Sequence, residues 1–357
     1  MAFRKNIRLK NYNYSENGYY FVTVAAGLPS RNKKSHSNAT ATFFIFILAF
    51  NFLFLTCLYA AGTTSGNFLK IGVGGRQSGM GEVFVGIADD VNTINYNVAG
   101  LSTIENKEFS AMHLEYFQDI RYESLNYVYP LKNSALGFSI GYLYVTGIQR
   151  TVIDENAWTA GWQYREIEKF GADDRTFFIA YAGRLSEKSD FGIGLRYVSE
   201  TLDNVIAQAV SADLGYLYKF TERVNFGAAL QNAGTQMKFI SRRENLPVNL
   251  RAGLGYKSYA GKFTGGVDLM KPLDAELEIH TGCEYWLVKL QSGSDFGGLI
   301  LRAGYRLRGF DENYKLGYLS GITAGVGFEL FNYRLDYSFI PYGDLGTTHR
   351  ISLLGRF

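Results

Sequence analysis

The stretch FGIGLRYVSE, residues 191–200, sets Phe191, Ile193, Leu195 and Tyr197 on one side of an extended chain. Gly192, Gly194, Arg196 and Val198 fall on the other. Alternation with a period of two is the mark of a strand with two unlike faces. VNLRAGLGYK (248–257), ITAGVGFELF (322–331) and YRLDYSFI (333–340) repeat it, with Arg251, Glu329, Arg334 and Asp336 among the small residues of the minor face. A soluble sandwich with large residues inside and a membrane barrel with large residues outside fit this alternation equally well. Three further features favour the barrel: a leader that directs export, segments near the roughly 9–11 residues of a tilted spanning strand, and glycines with lone charges recurring on the minor face, as suits a lumen.

Working outward, strands are expected near 108–118, 121–131, 134–146, 174–185, 190–202, 207–219, 223–233, 247–258, 262–270, 276–288, 298–308, 320–330, 333–340 and 347–357. That is about 14, an even number as in bacterial single-chain barrels. Short connections (132–133, SEKSD, FTER, YAGK, 331–332) alternate with longer ones (147–173, 203–206, 234–246, 309–319, 341–346), although LQSGSDFGG on the short side is longer than its fellows. Short periplasmic turns opposite long external loops are the asymmetry of such barrels. Open sheet edges cannot be satisfied in lipid, so the sheet must close. The expected fold class is all-β: a closed antiparallel transmembrane β-barrel over 108–357, surrounded by outer-membrane lipid. HRISLLGRF alternates to the final residue, and Phe357 resembles the C-terminal signal read by the barrel-assembly machinery. Tyr127, Tyr129, Tyr181, Tyr216, Tyr218 and Tyr337, near strand ends, fit interfacial girdles.

Composition agrees. Of 357 residues, 47% are hydrophobic, with 40 Gly, 27 Phe, 26 Tyr and only 5 Pro. Gly therefore exceeds the usual ~7%. The formal charge of +3 misleads: residues 1–60 hold seven of the 36 bases and one of the 33 acids, leaving 29 against 32, or −3. No nucleic-acid surface follows from that balance. RNKKSHSNATATFFIFILAFNFLFLTCLYAAG (31–62) orders a basic stretch, an uncharged apolar run from Phe43 to Leu58, and small Ala60 and Ala61, as in a secretory signal peptide over 31–61. Cleavage would remove Cys57 and leave Cys283 alone, without an intramolecular disulfide. RKNIRLKNYNYSENGYYFVTV (Arg4–Val24) resembles the opening of the REP-associated tyrosine transposases. None of that family's later histidine pair or catalytic tyrosine follows, so residues 1–30 are expected to be a spurious or fused leader without activity.

Between leader and barrel, residues 62–107 contain GGRQSGMGEVFVGIADDVNTINYNVAGL (Gly74–Leu101), which reads as two short helices. A lumen of about 14 strands is too wide for strand side chains to fill. Small residues such as Gly79, Gly81, Gly86 and Ala88 could lie against a glycine-studded wall. Asp90 can cap a helix beginning near Val91, leaving Asp89 for a lumen base such as Arg196, Arg251 or Arg334. The segment Phe68–Leu101, with Gly79-Met80-Gly81, Ala88-Asp89-Asp90 and Asn95 through Leu101, resembles the N-terminal signature of the PorV/PorQ family, which belongs with FadL-type barrels. The resemblance implies an N-terminal hatch inside the lumen, with Gly79, Met80, Gly81, Asp89, Asp90, Asn95, Asn97, Val98, Ala99 and Gly100 as hatch residues. The family usually has Asn-Pro-Ala-Gly where this chain has Asn97-Val98-Ala99-Gly100; Pro would fix φ and end the helix sharply.

Two functions follow from the resemblance. One is a gated conduit for small hydrophobic or amphipathic solutes. The other is a non-transporting partner of a type IX-like secretion apparatus that docks secreted protein cargo; the loops that carry Trp158, Trp162 and Tyr164 and KFISRRE could serve either role. No enzyme or cofactor is expected. GVGGRQSGMG lacks the third Gly of a dinucleotide loop and the Lys of a Walker loop. His36, His113, His280 and His349 are scattered without metal spacing, and ADD lacks the calcium-loop ligand pattern.

Overall fold

The computed structural model describes residues 64–153, 164–289, 297–308, 321–343 and 346–357. The expected leader, the signal peptide and the transposase-like stretch lie outside these residues, as do Trp158 and Trp162. The strands are β1 (Glu108–Glu115), β2 (Arg121–Pro130), β3 (Ser134–Ile153), β4 (Tyr164–Arg184), β5 (Ser189–Leu202), β6 (Val205–Lys219), β7 (Val224–Gly234), β8 (Met237–Phe239), β9 (Arg242–Glu244), β10 (Asn249–Lys257), β11 (Phe263–Pro272), β12 (Glu278–Lys289), β13 (Gly298–Arg308), β14 (Ile322–Leu330), β15 (Tyr333–Pro341) and β16 (Thr347–Arg356). All but β8 and β9 form one closed antiparallel barrel of 14 strands in chain order.

Closure is made by β1 against β16, in register from Glu108↔Arg356 to Glu115↔His349. The Phe357 N–H adds a last rung to the Lys107 carbonyl at 2.9 Å, and its ring stacks on Phe109 at 5.5 Å. No barrel strand is left with an unpaired edge, which satisfies the backbone without water.

The large residues face out. On β5, Phe191, Ile193, Leu195 and Tyr197 are exposed, while Asp190, Gly192, Gly194, Arg196 and Val198 are buried. β10, β14 and β15 follow the same rule, and the six tyrosines expected in girdles all take outward positions. An apolar outside around a polar, glycine-rich inside inverts the soluble pattern and is that of an outer-membrane barrel. The chain is therefore a protein of the bacterial outer membrane. Among the described residues no helix is long and apolar enough to cross a membrane; the strands do so.

The connections differ from expectation in three places. Residues 147–173 are largely strand, not loop: β3 and β4 run on through Ile148↔Phe170 to Ile153↔Tyr164. The charges Arg150, Glu168 and Lys169 look like a loop in sequence, but here they decorate a ladder that has outgrown the bilayer, with Arg150 ion-paired to Glu168. Residues 203–206 shrink to a two-residue hairpin closed by Leu202↔Val205, with Asp203 at φ 56°. Such turns need the left-handed region that Asp and Asn tolerate. Within 234–246 the hairpin β8–β9 turns inward, burying Met237 against Phe68, Val198, Ala207, Ala209 and Leu246.

Residues 64–107 run through the lumen. At the mouth with the longer connections, the Ser65 N–H donates to the Asn245 carbonyl (3.0 Å) and Thr64 Oγ1 to Asp274 (2.6 Å). At the other mouth the segment passes into β1. Two regular helices do not form. The segment has one five-residue turn, α1 (Gly75–Gly79), and single 3₁₀ turns over Asn67–Lys70, Val91–Asn95 and Val98–Thr103. A helix needs one apolar face toward a core. This segment meets wall on every side, so its small residues follow the wall instead.

Candidate functional site

The lumen segment touches the barrel by direct backbone approach. A Cβ on the strand residues Gly282, Gly304 or Gly227 would strike Met80 O, Gly81 N or Val85 O, respectively. A Cβ on Gly79 would come within 3.1 Å of Gly325 Cα, and one on Gly86 within 2.6 Å of Gly255 N. Gly81 takes φ 65°, and its N–H donates to Thr323 Oγ1 at 2.9 Å. Of the expected hatch residues, Ala99 and Val98 lie against Gly192 and Gly215, and Gly100 against Ala88 and Thr93. At these inner-face glycines the lumen segment passes directly against the wall.

Asp90 caps the turn that begins at Val91, as expected, accepting from the Asn92 N–H at 3.0 Å. Asn97 caps the next turn and donates Nδ2 to Val85 O (2.9 Å) and Tyr216 O (3.0 Å). Val98 opens that turn, a place a Pro would also fit; the Asn97 side chain holds it here. Asn95 donates to Asn126 at 3.1 Å, and its carbonyl accepts from Gln231 at 2.9 Å. Asn97→Ala removes the cap and the two hydrogen bonds that tie it to Val85 O and Tyr216 O. The expected loss is about 2–3 kcal/mol, read from the urea midpoint of the refolded barrel.

Charge supplies the second hold, and its hub is a residue the sequence reading passed over. Arg76, on α1, grips Glu284 with Nη2 (2.6 Å) and Nε (2.9 Å), while its Nη1 reaches Asp89 (2.6 Å) and Asp90 (2.9 Å). Arg334 pairs with Asp90 (2.8 Å) and Asp336 (2.9 Å), Arg302 with Asp336 (2.9 Å) and Glu284 (3.1 Å), and Lys257 with Asp89 (2.7 Å). Four cations thus meet four carboxylates. The expectation for Asp89 is corrected: its partners are Arg76 and Lys257, whereas Arg334 serves Asp90. Arg196 pairs instead with Asp213 (3.0 Å), and Arg251 with Asp268 (3.7 Å) and the Glu82 carbonyl (2.9 Å). Glu329 sits with Arg356 (3.4 Å), which also pairs with Glu108 at the start of β1. A strand position cannot name its partner across a lumen, because that depends on how the segment is threaded. The legible signal was weaker: lone charges among glycines on Glu284, Arg302 and Asp268.

Burial pushes the carboxyls of Asp89 and Asp90 up, but Arg76, Lys257 and Arg334 outweigh it and hold both below the usual range. Glu82 behaves likewise: against burial, Arg306 chiefly brings it from 4.5 to about 2. Because the folded value lies below the unfolded one, its stabilisation is present above pH 4.5 and is lost as pH falls toward about 2. Protease protection of residues 64–107 is expected to persist at pH 5 and to fail in that acid window.

Above this network lies a cavity of about 250 Å³ lined by Ile71, Val73, Tyr96, Tyr116, Glu82, Arg251 and others, of mixed polarity. No group of His, Cys, Asp and Glu among the described residues could hold a metal ion.

These features define a class: an outer-membrane barrel whose own N-terminal segment fills its lumen under glycine contacts and buried ion pairs. The model of a family described as "Uncharacterised protein family (UPF0164)" matches residues 60–165, which span the lumen segment and the first strands. No curated protein matches. Among solved structures, the Ralstonia pickettii toluene transporter TbuX is similar with a TM-score of 0.52 and 13% identity, over 80% of this chain and 98% of that one. The monoaromatic hydrocarbon channel CymD gives 0.50 and 15%, over 80% and 98%. The P. putida toluene transporter TodX gives 0.50 and 14%, over 80% and 99%. At such identities the likeness is one of fold. By name these three are transporters or channels, not enzymes.

Proposed function

We propose that the protein is a plugged conduit that admits small hydrophobic or amphipathic solutes across the outer membrane, with residues 64–107 as its hatch. The observation that carries this reading is the way the lumen is closed: by a segment anchored through reversible ion pairs rather than by strand side chains. The names of the barrels of similar fold, a monoaromatic hydrocarbon channel and toluene transporters, support the solute class. In this reading Asp89 and Asp90 are gating residues, since each links hatch to wall. A deletion strain is expected to take up labelled toluene several-fold more slowly than wild type. Unchanged uptake, alongside loss of proteins from the cell surface, would overturn the conduit.

The second reading is the PorV/PorQ-like partner of a type IX-like secretion apparatus. One observation favours it: the cavity above the hatch is small and as polar as it is apolar, which suits an occluded interior better than a solute path. Closure of β1 on β16, with Phe357 stacked on Phe109 beside that seam, belongs to both readings. Removal of Phe357 is expected to lower the folded amount in the outer membrane, read by immunoblot of membrane fractions.

A further inference from the structure

Two buried arginines that line the cavity above the hatch are only partly used. Arg196, on β5, and Arg251, on β10, are each 6% exposed, and both belong to its wall. Each bonds through Nη2 alone: Arg196 to Asp213 at 3.0 Å, and Arg251 to the Glu82 carbonyl at 2.9 Å, with Asp268 beyond at 3.7 Å. Nε and Nη1 of both have no hydrogen-bond partner among the described residues. Rings set the two planes, Phe178 under Arg196 at 3.9 Å and Tyr96 under Arg251 at 5.2 Å. A guanidinium held by its face keeps its N–H edge for something else. The neighbouring amides are spent, Gln231 on the Asn95 and Tyr96 carbonyls and Asn232 on that of Pro247. A guanidinium has no acceptor, so only an oxygen that accepts completes these two.

The rest of the wall is of another kind. Tyr116, at the end of β1, Tyr122, on β2, and Tyr342, after β15, line the cavity from strands remote from β5 and β10 in barrel order. Tyr116 meets the Tyr342 ring edge-on at 5.6 Å. Ile71, Val73 and Met270 add apolar surface. The acids and the lysine on the lining are already paired: Glu82 with Arg306 at 2.7 Å, Glu278 with His280 at 3.1 Å and Lys70 with Asp274 at 2.6 Å. A cavity of roughly 150 Å³ holds benzene, so one of about 250 Å³ has room for a single ring with a small substituent.

We propose that the cavity binds a small aromatic acid, its ring packed among the tyrosines and its carboxylate turned to the wall that Arg196 and Arg251 line. Aromatic rings favour edge-on and offset contacts of the kind the tyrosines offer, and a carboxylate is the acceptor that a planar guanidinium edge matches best. A pure hydrocarbon would leave both arginine edges unpaired in a closed space, which a site built for hydrogen bonds penalises. The inference goes beyond the conduit reading: as a binding site it stands whether or not solutes pass the hatch. Uptake by a deletion strain tests the conduit alone, so the two fail separately.

The test is calorimetry on the purified chain in a non-ionic detergent, titrated with sodium benzoate, sodium hexanoate and toluene at matched ionic strength. Saturable benzoate binding is expected. Hexanoate keeps the carboxylate without the ring, and toluene the ring without the oxygen; each is expected to bind about tenfold more weakly or worse. Arg196→Lys and Arg251→Lys keep the charge but not the planar fork, and are expected to weaken benzoate about tenfold. Met270→Trp adds bulk at an apolar position of the lining and is expected to abolish benzoate binding. Arg243→Gln, on exposed β9, is expected to bind like wild type, and circular dichroism verifies that each variant is folded. Three results each overturn the proposal: no saturable benzoate binding, hexanoate or toluene bound as tightly as benzoate, or unchanged benzoate affinity in Met270→Trp and both lysine variants.

Discussion

Arg76→Met should free the lumen segment. The substitution preserves the apolar length of the side chain but strips Asp89, Asp90 and Glu284 of a shared cation, leaving three positive charges against four carboxylates in a buried network. Breaking one partner out of a buried pair costs about 3–5 kcal/mol. The barrel's own ladders do not pass through Arg76, so the cost falls on the hatch. Proteolysis within residues 64–107 is expected to accelerate at least a hundredfold while the strands stay protected, and conductance in planar bilayers is expected to rise. Asp89→Asn on the Arg76→Met background removes one of the stranded charges and should recover part of the loss. Equal protection in Arg76→Met and wild type would mean that the network is incidental to holding the segment.

Gly282→Val is the second large effect. Its Cβ would occupy the place of the Met80 carbonyl, and backbone on both sides leaves nowhere to retreat. Overpacking in a well-filled interior costs about 1–3 kcal/mol and more where neither side can shift; here the upper end, about 3 kcal/mol, is expected. Gly183→Val is the matched control: its Cβ would find nothing nearer than Tyr181 Oη at 3.5 Å, so a near-neutral result is expected there. The two variants separate the cost of losing a hatch contact from the general effect of a β-branched residue in a strand. Far-ultraviolet circular dichroism and urea titration of the refolded proteins measure both.

The faces of the strands were legible because alternation is local: Phe191 and Arg196 point apart whatever the strand pairs with. Closure was legible too, since an apolar outer face leaves no tolerable edge in lipid. The reach of β3 and β4 was not, because beyond the bilayer the outward residues need no longer be apolar, and Arg150 and Glu168 read as loop. The lumen segment was legible as small residues before the first strand, and Asp90 as a cap. Its internal form was misjudged: a helical period says nothing about a segment enclosed on all sides, and α1 is one turn long. Charge partners were the least legible. Asp89 meets Arg76 only thirteen residues away but on a folded-back path, and Lys257 from across the lumen. Such pairs are fixed by threading and by the stagger of the strands, which a single sequence does not display. Arg76 had no local mark at all beyond its place among glycines.

The hatch reading meets its most direct test in a reversible lock. The Cβ of a residue at 75 would stand 3.0 Å from Ser352 Oγ, within reach of a disulfide between α1 and β16. Gly75→Cys with Ser352→Cys, on a background where Cys283 is Ala, pins the segment to the wall when oxidised and frees it when reduced. Toluene uptake into proteoliposomes is then measured in both states. Uptake that stops on oxidation and returns on reduction is the expected result. Uptake that continues unchanged with the disulfide fully formed would contradict a hatch that must move for solutes to pass.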